Sequence, residues 1–180
     1  MEKLEKASNN SNKNFITTNG DKVLYHCNLS KNKQKRKENR YIAGDIITIF
    51  SDKELREAKN LGFGYKQLDD IRIMILVLGV PNCKNMLVCP LYFTSNVSSQ
   101  RSSEHEAFVG FVDEISRYKP LIADLSRCHY LNMYEFTMHL KTQMDYVLHY
   151  FKHEYKIVQL DEDRLNYMLE VYTSYTFKRN

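Results

Sequence analysis

Residues 70–95 read DIRIMILVLGVPNCKNMLVCPLYFTS, and no other stretch limits the fold as strongly. Two apolar runs, 71–80 and 86–93, flank the short turn 81–85, Pro-Asn-Cys-Lys-Asn. The runs are rich in Ile, Val, Leu and Met and have the length of strands rather than of independent helices. They predict an antiparallel hairpin whose strands are buried on both faces over much of their length. In such a hairpin the two outer ends lie side by side. One end carries Arg72 and the other Thr94 and Ser95. A cation and hydroxyl groups therefore meet at one rim of a β-core. That rim serves either to solvate the strand ends or to dock an anionic ligand.

The charge is distributed unevenly around this centre. The chain of 180 residues carries a net +4, yet residues 1–40 alone hold ten Lys/Arg against four Asp/Glu, so the remainder is slightly acidic. Lys31, Lys33, Lys35, Arg36, Lys37 and Arg40 crowd around a single acid, Glu38. Such a run is either a solvated linker or an arm that contacts phosphates. The expected division is a flexible basic N-terminal arm, 1–40, followed by one domain, 41–180. Of the four cysteines, Cys27, Cys83, Cys89 and Cys128, none forms a CxxC pair, and their spacing matches no zinc framework. Free thiols in a reducing compartment are expected, with no metal and no cofactor. The polar, Asn-rich start does not read as a secretory signal. No apolar run reaches the roughly 18–20 residues that cross a bilayer. The expectation is a soluble cytoplasmic protein without a membrane partner.

Further elements follow from local patterning. Residues 21–28 suit one short strand or helical turn, and 41–50 a strand with a bend at Gly44-Asp45. Ser51 is a candidate N-cap for a short charged helix over 52–60, and 61–65 alternate glycine with aromatic or aliphatic residues as a loop. Residues 107–112 and 118–127 read as further strands. From 131 to 155 the period becomes helical, with Met133, Phe136, Thr137, Leu140, Met144, Val147, Leu148 and Phe151 on one face. Asn132 caps that helix, and Glu135 stands three residues on. A last helix over 161–175 places Leu165, Met168, Leu169 and Tyr172 on its apolar side. His149 and His153 are four residues apart without the glutamate of a HExxH motif, and read as solvated. The fold class is α+β: a small, strongly bent antiparallel barrel with C-terminal helices.

Four segments in this order resemble the MazF/PemK toxins of bacterial toxin–antitoxin pairs. Gly44-Asp45-Ile46 is similar to the family's GD[IV] strand, and Arg72 followed by IMILVLG to its RPVLVLS strand. Val88-Cys89-Pro90-Leu91 resembles VAPLT, and Asp124-Leu125-Ser126-Arg127 the element that leads into the C-terminal helix. The resemblance spans about residues 41–150. It implies an SH3-like barrel, usually a homodimer, that cuts single-stranded RNA without a metal, inhibits growth and is neutralised by a cognate antitoxin protein. Arg72 stands at the catalytic arginine. Tyr92 stands where the family has a small hydroxyl residue, which leaves Thr94, two residues on, as the substitute. Ile73 replaces the family's proline, and the basic arm is an addition.

Metal-independent cleavage of RNA needs a base for the 2′-hydroxyl, a cation for the phosphorane and an acid for the leaving 5′-oxygen. Arg72 is suited to the second task, because its guanidinium stays charged and grips phosphate bidentately. Thr94 and Ser95 are candidate donors to a phosphate oxygen. Arg127 and His129 form a second basic cluster, with Asp124 as a candidate orienting group. With the six cations of residues 31–40 these complete the expected RNA contacts. The alternative is an inactive barrel, phage- or mobile-element-encoded, that binds nucleic acid or protein as an inhibitor or regulator.

Overall fold

The computed structural model describes residues 15–18, 22–25, 41–68, 71–93, 104–110, 120–154 and 157–180. Thr94, Ser95 and the basic run 31–40 lie outside the described residues, as do Asp69 and Asp70. Within the N-terminal segment, β1 (Phe15–Thr18) and β2 (Lys22–Tyr25) pair antiparallel as a separate two-stranded sheet. The sequence places an element at the second of these and none at the first.

The main sheet is wholly antiparallel and curls into a half-barrel. Its strands are β3 (Asp45–Phe50), β4 (Arg72–Gly79), β5 (Asn85–Phe93), β6 (Glu106–Gly110), β7 (Leu121–Asp124), β8 (His129–Asn132) and β9 (Val158–Gln159). Neighbours run β6-β7-β5-β4-β3-β9, and β8 pairs with β5 beside β7. The expected β4–β5 hairpin is the middle of this sheet. Asn82 closes its turn, with Oδ1 accepting from the backbone N–H groups of Lys84 and Asn85, both at 2.9 Å. Met74 lies opposite Leu91 and Val77 opposite Val88. A bulge then shifts the register so that Gly79 meets Leu87.

Gly44 and Asp45 have a structural task at the head of β3. Gly44 has φ +93°, and a Cβ there would sit 3.3 Å from the Leu160 carbonyl oxygen. Its own carbonyl accepts from Leu160 N–H at 2.7 Å. Only glycine combines that conformation with so close an approach. Asp45 is fully buried and its carboxylate accepts from Ile42 N–H at 3.0 Å, which closes the turn before the strand.

Helix α1 (Asp52–Asn60) begins after Ser51 as expected, although the serine side chain makes no capping bond. A helical turn, α2 (Tyr65–Leu68), follows where the sequence suggests only loop. The strand expected over 118–127 is shorter. After β7 the chain tightens into a 3₁₀ turn, Leu125–Arg127, because Asp124 Oδ1 accepts from Ser126 N–H at 3.2 Å and pulls the backbone out of extension. Helix α3 (Met133–Phe151) is capped by Asn132, whose Oδ1 accepts from Glu135 N–H at 3.1 Å. Helix α4 (Glu162–Arg179) is capped in the same way by Asp161 onto Arg164 N–H, at 2.8 Å.

The two long helices cover opposite faces of the sheet. Helix α4 seats Leu165, Met168, Val171 and Tyr172 on the larger core, which holds Ile46, Met74, Leu76, Cys89 and Leu91. Helix α3 packs Met133, Phe136 and Leu140 against Ile47, Ile75, Val77, Met86 and Val88. Its last turns join α1 and α2 in a third cluster, through Val147, Phe151, Phe50, Leu55 and Leu68. The expected apolar stripe of α3 needs one correction. Leu148 is exposed, and Gln143 occupies the buried position. The amide of Gln143 accepts from Phe50 N–H at 3.1 Å and donates to Phe50 C=O at 2.6 Å, which satisfies the end of β3. No helix among the described residues is long and apolar enough to cross a membrane.

Candidate nucleic-acid interface at the hairpin rim

Arg72 is the first residue of β4 and lies opposite Phe50 of β3. Strand alternation puts it on the α4 side of the sheet, with Met74 and Leu76. Its half-buried guanidinium sits 5.1 Å from the centre of the Phe93 ring, at the end of β5. Ring and cation attract through the quadrupole of the aromatic face. The rim therefore does carry the cation expected there, and it carries an aromatic ring beside it.

Tyr92 faces the other way. Its phenol donates to Glu106 Oε1 at 2.5 Å. Partial burial, and then the Glu106 carboxylate, push the phenol well above its ordinary range, so it remains a donor at neutral pH. Glu106 stands opposite Asp124 in the β6–β7 register. Asp124 Oδ1 is engaged by Ser126 Oγ at 2.5 Å, with His105 Nε2 4.0 Å away. Two carboxylates face one another across a pair of strands, and a phenol and a serine hydroxyl donate into them. Like charges opposed on neighbouring strands repel, and these donors offset that repulsion. The Tyr92 hydroxyl is thus on the face opposite Arg72 and committed to Glu106.

Arg127 and His129 belong elsewhere on the sheet. His129 pairs with Val88, on the α3 face. Phe93 lies five residue steps beyond Val88 along β5, a distance of about 17 Å. The structure therefore separates Arg72 from the second basic cluster by both distance and face. Arg127 is exposed at the end of the 3₁₀ turn, and its carbonyl oxygen lies 3.0 Å from His129 Nδ1. Asp124 orients Ser126 rather than Arg127 or His129.

Thr94 and Ser95, the expected hydroxyl donors, and Lys31, Lys33, Lys35, Arg36, Lys37 and Arg40 lie outside the described residues. Among the described residues no group of three or more His, Cys, Asp or Glu side chains is placed to hold a metal ion. His153 stacks on Tyr65, with ring centres 5.2 Å apart, and His149 meets Tyr150 edge-on at 4.6 Å.

Phe93 and Glu106 are absent from the sequence-derived site. Phe93 is reached only by knowing the register. Counting from the turn gives the wrong partner, because the bulge between Val77 and Gly79 offsets the hairpin. Nothing local marks Glu106, which reaches Tyr92 from β6, across β7. Comparison of the chain with family models, with curated proteins and with solved structures finds no match.

Proposed function

We propose that this protein is a PemK/MazF-like endoribonuclease that contacts single-stranded RNA at the Arg72 rim. One observation carries the reading. The four family-like segments fall on adjoining parts of one curled antiparallel sheet, in β3, β4, β5 and the β7–3₁₀ junction, with Arg72 leading the second. In this reading the half-barrel is the family's SH3-like barrel, a homodimer whose RNA groove a cognate antitoxin covers.

An arginine resting on an aromatic ring suits a single strand, which offers a phosphate for the cation and bases for stacking. In the cleavage step the 2′-oxygen attacks the adjacent phosphorus and loses its proton to a base. The P–O5′ bond breaks, and the 5′-oxygen takes up a proton. Arg72 stabilises the charge that builds on the phosphorane oxygens. Thr94 and Ser95 donate to the same oxygens, and the arm's lysines and arginines hold the backbone on either side.

A second reading rests on Tyr92. With that hydroxyl bound to Glu106 on the opposite face, the described rim offers a cation and a ring for binding and no hydroxyl for chemistry. A barrel of this kind binds RNA without cutting it.

Incubation with a long single-stranded RNA in EDTA separates the two. Site-specific cuts that disappear in Arg72→Ala, by about 100-fold or more as for a lost electrostatic donor, support the nuclease. Intact RNA that is still retained on the protein supports the binder. RNA neither bound nor cut defeats both. Deletion of residues 1–40 should flatten the salt dependence of RNA binding, each lost phosphate contact lowering the slope by about 0.7. An unchanged slope would remove the arm from the interface.

A further inference from the structure

The β5 strand has two partners on one edge. Its residues 91–93 pair with β7 and its residues 85–88 with β8. Only Cys89 and Pro90 therefore face the excursion 124–128 that contains the 3₁₀ turn. Both ends of that excursion converge on Cys89. Its Sγ donates to the Asp124 carbonyl oxygen at 3.2 Å. One step further along the β5–β8 register, past Val88 opposite His129, Cys128 stands opposite Cys89. Directly opposed residues of antiparallel strands have Cα atoms about 4.5–5.5 Å apart, within the span of about 4.4–6.8 Å that a disulfide bridges. Cys89 is fully buried, and Cys128 is partly buried against the same core.

We propose that Cys89 and Cys128 are a redox modification site, a reversible disulfide that closes the mouth of the 3₁₀ turn when the protein meets a peroxide. Contact with Cys128, and then burial, push the Cys89 thiol up, so it keeps its proton. Cys128, the more accessible of the two, meets the oxidant first. Its sulfur attacks one peroxide oxygen. The S–O bond forms, the O–O bond breaks, and the departing oxygen takes the thiol proton and leaves as water. Cys89 sulfur then attacks the sulfenic sulfur of Cys128. The S–S bond forms, the S–O bond breaks, and a second water departs with the Cys89 proton. Two thiols lose two electrons, and the peroxide is reduced to two waters. A dithiol reverses the bond by exchange. Oxidation replaces the S–H···O contact to Asp124 with a covalent tether between β5 and the start of β8. Cys83, exposed in the β4–β5 turn, is an internal control.

The test uses the full chain, treated with hydrogen peroxide, alkylated, digested without reduction and read by mass spectrometry. The expected product is one intramolecular crosslink joining the Cys89 and Cys128 peptides, lighter by two hydrogens and restored by dithiothreitol. Cys128→Ser should abolish it, and Cys83→Ser should leave its yield unchanged. Should Cys128→Ser fail to fold, the double variant Cys27→Ser/Cys83→Ser keeps only the proposed pair and must still give the crosslink. Sulfinic or sulfonic acid at Cys128 with Cys89 still open to alkylation after unfolding overturns the proposal. So do crosslinks made mainly through Cys83 or Cys27. None of these outcomes depends on whether the protein acts on RNA.

Discussion

The two faces of the sheet are held by different physics. On the α4 face the contact is mainly apolar, with one part-buried directed bond from helix to sheet, Arg164 Nη1 donating to the Phe108 carbonyl oxygen at 3.3 Å. Met168, Val171 and their neighbours meet Met74, Leu76 and Leu91, and stability there follows from area removed from water and from close packing. On the α3 face the apolar cluster is smaller, and the helix is pinned by a few directed bonds. Gln143 holds both backbone groups of Phe50, and the Tyr41 and Thr137 hydroxyls meet at 2.9 Å. An apolar face tolerates small slides of its helix, whereas a side chain bonded to one strand end fixes helix and strand in a single register. The fixed side also carries the outward Tyr92–Glu106 pair, and the Arg72–Phe93 contact belongs to the apolar side.

The comparison predicts unequal responses to substitution. Met168→Ala, at a fully buried position, should cost about 2–5 kcal/mol through lost transfer energy and a residual cavity. Chemical denaturation measures this, and a loss below about 1 kcal/mol would mean that the α4 face collapses to refill the space. Gln143→Ala should cost about 1–3 kcal/mol, because both bonds to Phe50 are lost inside the protein. Its signature is faster amide exchange at the end of β3 with α4 protection unchanged. Uniform loss of protection across the molecule would contradict a separately pinned face.

The smallest effect is alkaline. Burial raises the phenols of Tyr41 and Tyr172, and burial with Glu106 raises that of Tyr92. A raised value means that the native state holds the proton more tightly than the unfolded chain does. The resulting stability is complete below about pH 10, the ordinary tyrosine value. It is lost as the pH rises through the native values. Denaturant midpoints should fall above about pH 10, and Tyr41→Phe should lessen the fall. A midpoint that stays flat to the onset of general alkaline unfolding would contradict the sign.

Much of the architecture was legible because its causes are local. The hairpin followed from two apolar runs and a polar turn, the start of α3 from Asn132, and the bend before β3 from Gly44. What escaped depends on distant partners. Strand β8 has no strand-like pattern of its own, and exists because β5 has an open edge for it. Strand β9 is two residues held against β3. Gln143 breaks the apolar period of α3, so periodicity alone points to Leu148 rather than to it. The exchange makes sense only once Phe50 is known to end beneath the helix. The candidate site was half legible. Arg72 stood out as a charge opening an apolar strand, whereas its ring partner and the orientation of Tyr92 did not.

By itself the sequence determined the strands of the central hairpin and the long helices α3 and α4, the glycine bend before β3, the Asn132 cap, and that an arginine stands at the outer end of the hairpin. Those properties come from side-chain periodicity and backbone preference over a few residues. Only the tertiary structure decided that Phe93 lies beside Arg72, that Tyr92 turns away to Glu106, and that Cys128 comes to rest opposite Cys89. Each of these depends on register between strands. Register is set by a bulge, a 3₁₀ excursion and the shared packing of two helices, and a shift of one residue would reverse the face of every side chain involved.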